Sequence, residues 1–332
     1  MKKIFNFIVI ILLFTIFISS TNNNVEVKAF QKSDIIGEVE LGGDTIGLKI
    51  DTKVEIVGKY EVKTKNGDFK PWENSDIIDG DYIYSINSMI INNNDDLNKI
   101  VKNSKESTLN LVLIRENQLI ETKINIVKNK NNVNSIGLYV KDHITGIGTL
   151  TFVNTKTNKY ASLGHNVNDA LSNGKLYESS IKGIKKAIKG VPGEKYATIS
   201  EIEIGNIEEN NSIGVFGTYY KNDYNNIVNI IKRDAVELGD AQIVTVINGN
   251  IKNTYDIEIV EVEKQEKEDV KGIKFKITDE ELLNSTGGVI QGLSGSPIIQ
   301  NGNLIGAVSH VVVNEPSYGF GVFAEWMFYR TL

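Results

Sequence analysis

The most informative segment of the sequence is Gly292-Leu293-Ser294-Gly295-Ser296-Pro297-Ile298-Ile299, close to the C-terminal end of the chain. In it, glycines flank a serine and a β-prone run follows directly. A nucleophilic serine needs a tight turn that exposes its oxygen and points neighbouring N–H groups at one place, and glycine permits that backbone. The segment predicts a nucleophile at Ser294, with the backbone N–H groups of Gly292 and Ser294 forming an oxyanion hole. A plain hairpin turn is the alternative interpretation.

The segments after the serine resemble the strand order of trypsin-like peptidases. A Gly-x-Val-Ser-like strand, Ile305-Gly306-Ala307-Val308-Ser309, comes first, and Tyr318-Gly319-Phe320-Gly321-Val322 follows it. The Gly-x-Ser-x-Gly elbow of α/β-hydrolases does not fit, because Ser296 stands where the second glycine would be. Short β-prone runs between turn residues recur from Ser135 to the end, which favours a barrel or sandwich. We therefore predict a mainly β chain with a trypsin-like double β-barrel over residues 135–332.

A hydroxyl nucleophile needs a base of near-neutral pKa, and the chain has three histidines. His165 is the best placed, because a strand-like run ends at Leu163-Gly164-His165. His143 stands in a polar stretch and is interpreted as a surface residue. His310 stands in a predicted strand and is interpreted as a wall of the cleft or part of the core. The sequence thus predicts His165 as the general base.

The acid that would orient the imidazole is harder to choose among 42 carboxylates. Asp279 is a candidate, although Thr278-x-x-Glu281 also reads as a capping box that would place Asp279 in a first helical turn. Asp169 and Asp240 remain rivals.

A small α+β module is predicted ahead of the peptidase domain, over residues 35–128. Leu41-Gly42-Gly43-Asp44-Thr45-Ile46-Gly47-Leu48 resembles the carboxylate-binding loop of a PDZ domain, and Gly80-Asp81-Tyr82-Ile83 resembles the turn and strand before its second helix. Such a loop captures a peptide or chain terminus, the chain's own or another's, that adds as a strand. The predicted peptide-binding residues are Gly43, Ile46, Gly47 and Leu48. A simple hairpin turn at the glycines is the alternative.

Two further segments complete the organisation. Two lysines followed by an apolar run, Ile4 to Ile18, predict a secretory signal peptide or membrane anchor over residues 1–24. Residues 129–134 are polar without apolar periodicity and predict a linker. The basic run from Ser180 to Lys189 reads either as a helix or as a strand and turn; it could contact anionic lipid or form a solvated face.

Composition excludes several classes of function. The chain has 332 residues, 36 Lys plus Arg against 42 Asp plus Glu, a net charge of −6 and no cysteine. This length predicts two domains. Disulfides, thiolate metal sites and a cysteine nucleophile are excluded, and the mild acidity gives no basic face for nucleic acid. Three scattered histidines without cysteine predict neither a metal site nor a cofactor.

Several runs together resemble the stage IV sporulation protein B family of serine peptidases. The resemblance covers nearly all of the chain after residue 24. Beyond the PDZ-like segments and the serine segment quoted above, it is carried by Gly146-Ile147-Gly148-Thr149-Leu150-Thr151-Phe152, Leu163-Gly164-His165, Pro192-Gly193-Glu194-Lys195, Gly214-Val215-Phe216-Gly217-Thr218, Lys276-Ile277-Thr278-Asp279 and Thr286-Gly287-Gly288.

The resemblance implies a catalytic triad at the matching positions His165, Asp279 and Ser294, which raises Asp279 above its rivals. It further implies export to the outside of the cytoplasmic membrane, into the space around the developing forespore. There the family cuts itself and a regulator of a membrane-embedded metalloprotease, and so activates a late sigma factor. The protein substrate would lie in or at the membrane.

Two other functions are compatible with the sequence. A PDZ-like module joined to a degenerate, non-catalytic barrel would make a signalling protein. A surface adhesion or scaffolding β-protein would process no peptide at all.

Overall fold

A computed structural model describes residues 30–167 and 171–332. The predicted signal or anchor at residues 1–24 and the candidate acid Asp169 lie outside the described residues. Within the described ranges, no helix has both the length and the apolar character needed to cross a membrane.

The chain is mainly β, as predicted. Its first strands are β1 (Ile35–Leu41) and β2 (Thr45–Lys59). A small α+β module follows, with β3 (Val62–Thr64), β4 (Gly67–Phe69), β5 (Tyr82–Ile86), β6 (Met89–Ile90), α1 (Asn94–Asn103), β7 (Thr108–Arg115), β8 (Gln118–Asn125), β9 (Val127–Lys128) and β10 (Asn134–Ser135).

The remaining elements belong to the body of the molecule. In chain order they are β11 (Leu138–Asn154), β12 (Lys159–Ser162), β13 (Gly174–Lys185), β14 (Glu194–Ile207), β15 (Glu209–Asn211), β16 (Gly214–Thr218), β17 (Ile227–Ile231), β18 (Gly239–Asn248), β19 (Ile251–Val262), β20 (Ile273–Ile277), α2 (Glu280–Thr286), β21 (Pro297–Gln300), β22 (Asn303–Val311), β23 (Tyr318–Phe323) and α3 (Ala324–Tyr329). Single 3-10 turns occur at Lys32–Asp34 and Arg233–Ala235.

A first ring of antiparallel strands forms one barrel. Its order is β11, β2, β13, β14, β16 and β12, and β12 returns to β11. The ring closes between β14 and the end of β16 through the bridge Gly205↔Tyr219. Apolar side chains at alternating positions of these strands fill its interior, among them Ile46, Leu48 and Leu176. The barrel is therefore a packed core rather than a pore.

A second ring of antiparallel strands forms another barrel. Its order is β22, β21, β18, β19, β20 and β23, and β23 pairs with β22 again. Its interior is packed with β-branched and aromatic side chains such as Ile257, Phe275 and Ile298. A separate buried cluster, which includes Phe152 of β11 and Val322 of β23, lies between the two rings. The ends of their strands therefore meet along one cleft.

The module does not have the boundary that the sequence predicted. Strand β1 pairs with β11 and β17, and residues 45–50 of β2 pair with β11 and β13, so residues 35–50 belong to the barrels. The predicted linker is not open: residues 129–133 are the turn of a β9–β10 hairpin and Asn134 begins β10. The Asn129 side chain accepts from the N–H groups of Asn131 and Val133 within this turn. Both β2 and β11 continue from the barrel into the module.

The segment predicted to capture a peptide terminus is part of a strand in the wall of the first barrel. Ile46, Gly47 and Leu48 pair with Gly148 to Gly146 of β11 on one edge and with Glu178 to Leu176 of β13 on the other. Gly43 donates its N–H to the Leu150 carbonyl at 2.7 Å. Since both edges are occupied, this strand has no free edge for an added strand, and the predicted peptide-binding role of these four residues does not fit the structure.

Candidate active site

Ser294 lies in a tight double turn between α2 and β21, in the second barrel. The Leu293 N–H donates to the Ile290 carbonyl at 3.1 Å, and the Ser296 N–H donates to the Leu293 carbonyl at 2.9 Å. Gly292 and Gly295 have φ angles of 91° and 89°, a region that disfavours residues with a Cβ. Leu293 is fully buried, while Ser294 keeps part of its surface exposed. The two glycines thus present the serine hydroxyl to the cleft.

Strand β11 of the first barrel holds this turn through hydrogen bonds of Thr149 and Thr151. The Thr149 hydroxyl donates to the Gly292 carbonyl at 2.9 Å, and the Thr149 N–H donates to the Ser294 carbonyl at 3.0 Å. The Thr151 hydroxyl donates to the Gly295 carbonyl at 2.8 Å. A Cβ on Gly295 would lie 2.1 Å from the Thr149 carbonyl oxygen, so only glycine allows this approach. The nucleophile turn is therefore positioned across the interface of the barrels.

His165 follows β12 of the first barrel in the predicted Leu-Gly-His turn. Leu163 and Gly164 have φ angles of 67° and 66°, and the turn brings the chain out of the barrel. Beyond the histidine, Val167 is fixed by two 2.8 Å hydrogen bonds with the Asn210 side chain. Both sides of His165 are thus anchored in the first barrel.

The structure brings the predicted nucleophile and base together. His165 Nε2 lies 3.0 Å from Ser294 Oγ, and His165 Nδ1 lies 2.7 Å from the backbone carbonyl oxygen of Asn166. A carbonyl oxygen only accepts, so Nδ1 carries the proton of a neutral imidazole. Nε2 then has a free lone pair and accepts from the Ser294 hydroxyl. This is the tautomer that a general base requires.

The backbone beside the serine offers two N–H groups to a ligand. Over the described residues, no protein acceptor is hydrogen-bonded to the N–H of Gly292 or of Ser294. These are the donors that the sequence predicts for an oxyanion hole, and that role stays a prediction.

The other two histidines occupy different settings. The ring centroid of His310 lies 5.5 Å from that of His165. Burial, together with the nearby His165, lowers the pKa of His310 below its usual value. Its Nδ1 is buried without a hydrogen-bond partner. His143 is half-exposed in β11 and is bonded to Asp142, away from this pair. His310 therefore flanks the base, in agreement with a place in the cleft wall.

Asp279 does not bond to His165 in this structure. It is the N-cap of α2, where its carboxylate accepts from the Leu282 N–H at 2.8 Å and from the Asp256 N–H at 3.4 Å. The Asn166 carbonyl instead bonds to the imidazole Nδ1. Asp240 is exposed in β18 opposite Glu258 and also makes no contact with the histidine. Orientation of the base by Asp279 therefore remains a prediction from the family resemblance.

Lys195 is an additional buried group beside the nucleophile turn. It is 6% exposed, and its side-chain carbons would lie 3.0 to 3.2 Å from a Cβ on Gly292. Its Nζ donates to the Thr245 hydroxyl at 2.9 Å, and burial lowers its pKa to about 7. No carboxylate lies within ion-pair distance of it in the described part of the chain. Burial of this kind favours the uncharged amine over the ammonium ion.

Sequence reasoning missed three contributors to the site. They are the Asn166 carbonyl, the Thr149 hydroxyl and the Lys195 amine. A backbone carbonyl carries no residue-type signal, and threonine is ordinary in a strand. Lys195 stands in the quoted Pro-Gly-Glu-Lys run, but nothing in the sequence indicates its burial. Across residues 30–167 and 171–332, no group of three or more His, Cys, Asp or Glu is arranged to hold a metal ion.

Comparison with known proteins gives one family. The family model described as SpoIVB peptidase S55 matches residues 129–328. A search of curated proteins found no match. Two solved structures are similar: an inactive form of a serine-to-alanine mutant of Rv3671c from M. tuberculosis H37Rv (13% identity, TM-score 0.33, 56% of this chain and 82% of that one) and the inactive form of Rv3671c protease (16% identity, TM-score 0.32, 56% and 84%).

Proposed function

The chain belongs to the SpoIVB peptidase S55 family and is a serine peptidase, and on this premise we propose that Ser294 and His165 carry out its peptide-bond hydrolysis. The observation that carries the proposal is the 3.0 Å separation of Ser294 Oγ and His165 Nε2, with the base in the required tautomer. Family membership supports peptide-bond hydrolysis as the reaction, and the short distance supports proton transfer between Ser294 Oγ and His165 Nε2.

The reaction follows from these positions. Ser294 Oγ attacks the scissile carbonyl carbon while its proton passes to His165 Nε2. The N–H groups of Gly292 and Ser294 donate to the oxyanion of the tetrahedral intermediate. The imidazolium then protonates the leaving amine, and the C–N bond breaks to leave an acyl-enzyme. Water then attacks the ester carbonyl carbon while His165 Nε2 takes a proton from it. The C–O bond to Ser294 breaks, the imidazolium protonates Ser294 Oγ, and the carboxylic acid product leaves.

An acceptor for the Nδ1–H of His165 is needed throughout the catalytic cycle. It keeps the imidazole in one tautomer and stabilises the imidazolium once the proton has arrived. The Asn166 carbonyl makes this bond in the resting enzyme. A carboxylate would stabilise the imidazolium more strongly, and the family resemblance assigns that role to Asp279. For this role the N-terminal end of α2 would have to approach His165.

The biological role that we propose is the one implied by the family resemblance. The protein would be exported during sporulation and act outside the cytoplasmic membrane, around the forespore. It would cut itself and a regulator of a membrane-embedded metalloprotease, and so activate a late sigma factor. The α+β module would recognise a peptide or chain terminus through residues other than Gly43, Ile46, Gly47 and Leu48, since those four lie in the wall of the first barrel.

The test of the catalytic proposal is covalent labelling with a fluorophosphonate probe. We expect the wild-type chain to be labelled and to cleave itself or a peptide substrate. Ser294→Ala should lose both properties, with kcat falling about 10⁶-fold. His165→Ala should also abolish cleavage, and both variants should keep the wild-type circular dichroism spectrum.

Two outcomes would overturn the assignment. Processing at the wild-type rate by purified Ser294→Ala would move the nucleophile elsewhere. A folded wild-type chain that neither reacts with the probe nor cleaves any peptide would favour the alternative, a non-catalytic signalling protein with a degenerate barrel.

A further inference from the structure

The hairpin of β13 and β14 ends in a basic, apolar tip that the catalytic mechanism does not use. The hairpin tip comprises residues 186–193, Lys186-Ala187-Ile188-Lys189-Gly190-Val191-Pro192-Gly193. Ile188 and Val191 exchange two backbone hydrogen bonds, at 3.1 and 2.9 Å, and these close a two-residue turn at Lys189-Gly190. Gly190 has a φ of 81°, which such a turn requires. The basic run in the sequence is therefore a strand and turn, not a helix.

Aliphatic side chains at the turn point away from the protein. Ile188 is 63% exposed and Val191 is 44% exposed, and Pro192 beside them is also exposed. Ala187 points the other way and is buried in the core of the second barrel. The tip thus presents a small apolar surface on a backbone that is well packed beneath it.

Lysines surround this apolar surface. Lys182, Lys185, Lys186 and Lys189 are all exposed. Lys185 lies 3.5 Å from Glu194, whereas Lys186 and Lys189 have no carboxylate within 4.0 Å in the described part of the chain. The whole chain carries a net charge of −6, so this local excess of positive charge is a property of the hairpin and not of the composition.

We propose that the hairpin tip is a contact surface for an anionic lipid bilayer. Exposed aliphatic side chains enter the interfacial region of a bilayer, and lysines around them bind anionic headgroups through long flexible stems. Protein-binding hot spots instead favour tryptophan, tyrosine and arginine, none of which occurs in residues 186–193. A lipid surface therefore fits this chemistry better than an acidic protein surface.

The tip is fixed relative to the nucleophile turn. The Ala187 N–H donates to the Thr286 carbonyl at 2.8 Å, and the Gln291 N–H donates to the Gly193 carbonyl at 2.9 Å. The Gly190 N–H donates to the Val313 carbonyl at 2.9 Å. A bilayer bound at the tip would therefore hold the cleft at a set height and orientation above the membrane surface.

A single-site fluorescent label tests the proposal in the full chain. The sequence contains no cysteine, so Ile188→Cys can be labelled uniquely with the environment-sensitive dye NBD. The matched control is Leu119→Cys, because Leu119 is 65% exposed next to the β7–β8 turn and the sequence has no lysine between Lys105 and Lys123. Each protein is mixed with vesicles of phosphatidylglycerol and phosphatidylcholine, or of phosphatidylcholine alone. Because the N-terminal segment is present in every sample, only a local response distinguishes the two labels.

We expect the label at position 188 to shift to the blue with anionic vesicles and to be quenched by lipid-bound nitroxides, while the label at 119 stays unchanged. Adding Lys186→Gln and Lys189→Gln should shift the balance between lipid-embedded and aqueous label about 30-fold, roughly 5-fold per lysine. No response at 188, an equal response at 119, or a response that survives both substitutions would overturn the proposal. A response to added acidic peptide but not to vesicles would overturn it in favour of a protein partner.

Discussion

The amine of Lys195 is unusual because no carboxylate within residues 30–167 and 171–332 pairs with it. Its hydrogen-bond acceptor is a neutral hydroxyl, that of Thr245, and its carbons pack against Gly292 of the nucleophile turn. A neutral amine satisfies this setting, whereas a protonated one would be a buried charge without a partner. The residue therefore makes the region beside the turn sensitive to pH.

This sensitivity predicts a specific stability profile. Burial lowers the pKa of folded Lys195 from 10.5 to about 7, so between these values the unfolded chain binds a proton that the folded chain lacks. The free energy of unfolding should therefore rise with pH across this window by up to about 1.4 kcal/mol per unit, with the full cost present below pH 7. We expect Lys195→Met to lack this slope, as measured by urea unfolding from pH 6 to 9. A difference between the two proteins that does not change with pH would contradict the assignment.

The carboxylate of Asp279 allows its two possible roles to be separated. Asparagine accepts the same N-cap hydrogen bond, so Asp279→Asn should leave stability unchanged, while Asp279→Ala should cost about 1 kcal/mol. Thermal melting of both variants checks this. The kcat of Asp279→Asn then decides the catalytic role: a fall of about 10⁴-fold would identify the acid that orients His165. Near-normal turnover would leave it as a helix cap.

The sequence indicated the serine and the histidine of the site, but it did not indicate the groups that surround and hydrogen-bond to the site residues. A serine between glycines and a histidine after Leu-Gly stand out in a linear sequence because backbone conformation restricts those residues. The partner of His165 Nδ1 is a carbonyl, which every residue has, and the environment of Lys195 is made by strands far away in the chain. Contacts of this kind depend on tertiary placement, which a single sequence does not encode locally.

Among the elements, strand β11 of the first barrel hydrogen-bonds directly to the nucleophile turn of the second barrel. Its Thr149 hydroxyl donates to the Gly292 carbonyl and accepts from the Ser296 hydroxyl at 3.4 Å, and its backbone N–H donates to the Ser294 carbonyl. Thr149→Val keeps the shape and the backbone bond but removes the hydroxyl, which leaves the buried Gly292 carbonyl without this donor.

We expect Thr149→Val to lower kcat at least 10-fold and stability by about 1 to 3 kcal/mol, the cost of an unsatisfied buried acceptor. Steady-state cleavage and urea unfolding measure the two effects. Thr45→Val is the matched control, because Thr45 is also buried, at 6% exposed, and its hydroxyl bonds Ser179 and the Gly148 carbonyl, outside the turn. Equal losses of kcat in both variants would show that the Thr149 hydroxyl has no particular role in the turn.

The extent of the elements was harder to predict than their existence. The strands in the second half of the chain are predicted from short β-prone runs between turn residues. From Leu48 to Ile56, strand β2 alternates buried and less buried residues without a break, so its pattern gives no sign that one half lies in the barrel and the other in the module. The predicted start of the module at residue 35 therefore falls in strands that pair with the barrels.

At the scale of the whole molecule, two long strands continue from the first barrel into the module and connect the two. Both β2 and β11 run from the first barrel into the module, and their pairing extends from Thr45↔Thr149 to Lys59↔Leu138. The core of the module, which includes Val54 and Leu138, therefore uses residues of the same two strands that form the barrel wall.

This continuity predicts that the module and the barrels unfold in one transition. The two tryptophans are separate probes, since Trp72 packs on the module core and Trp326 on the core of the second barrel. In Trp72→Phe and Trp326→Phe, the remaining tryptophan should report coincident urea midpoints, as two-state unfolding requires. Two clearly separated midpoints would show that the module folds independently.

The shared pair of strands also determines how a ligand of the module could influence cleavage. Strands of a sheet are twisted, and the size of the twist varies from one strand pair to another. A change of twist near Lys59 and Leu138 would fall on the same ladder that carries Thr149. A ligand of the module that changed this twist would therefore act on the nucleophile turn through the paired strands themselves.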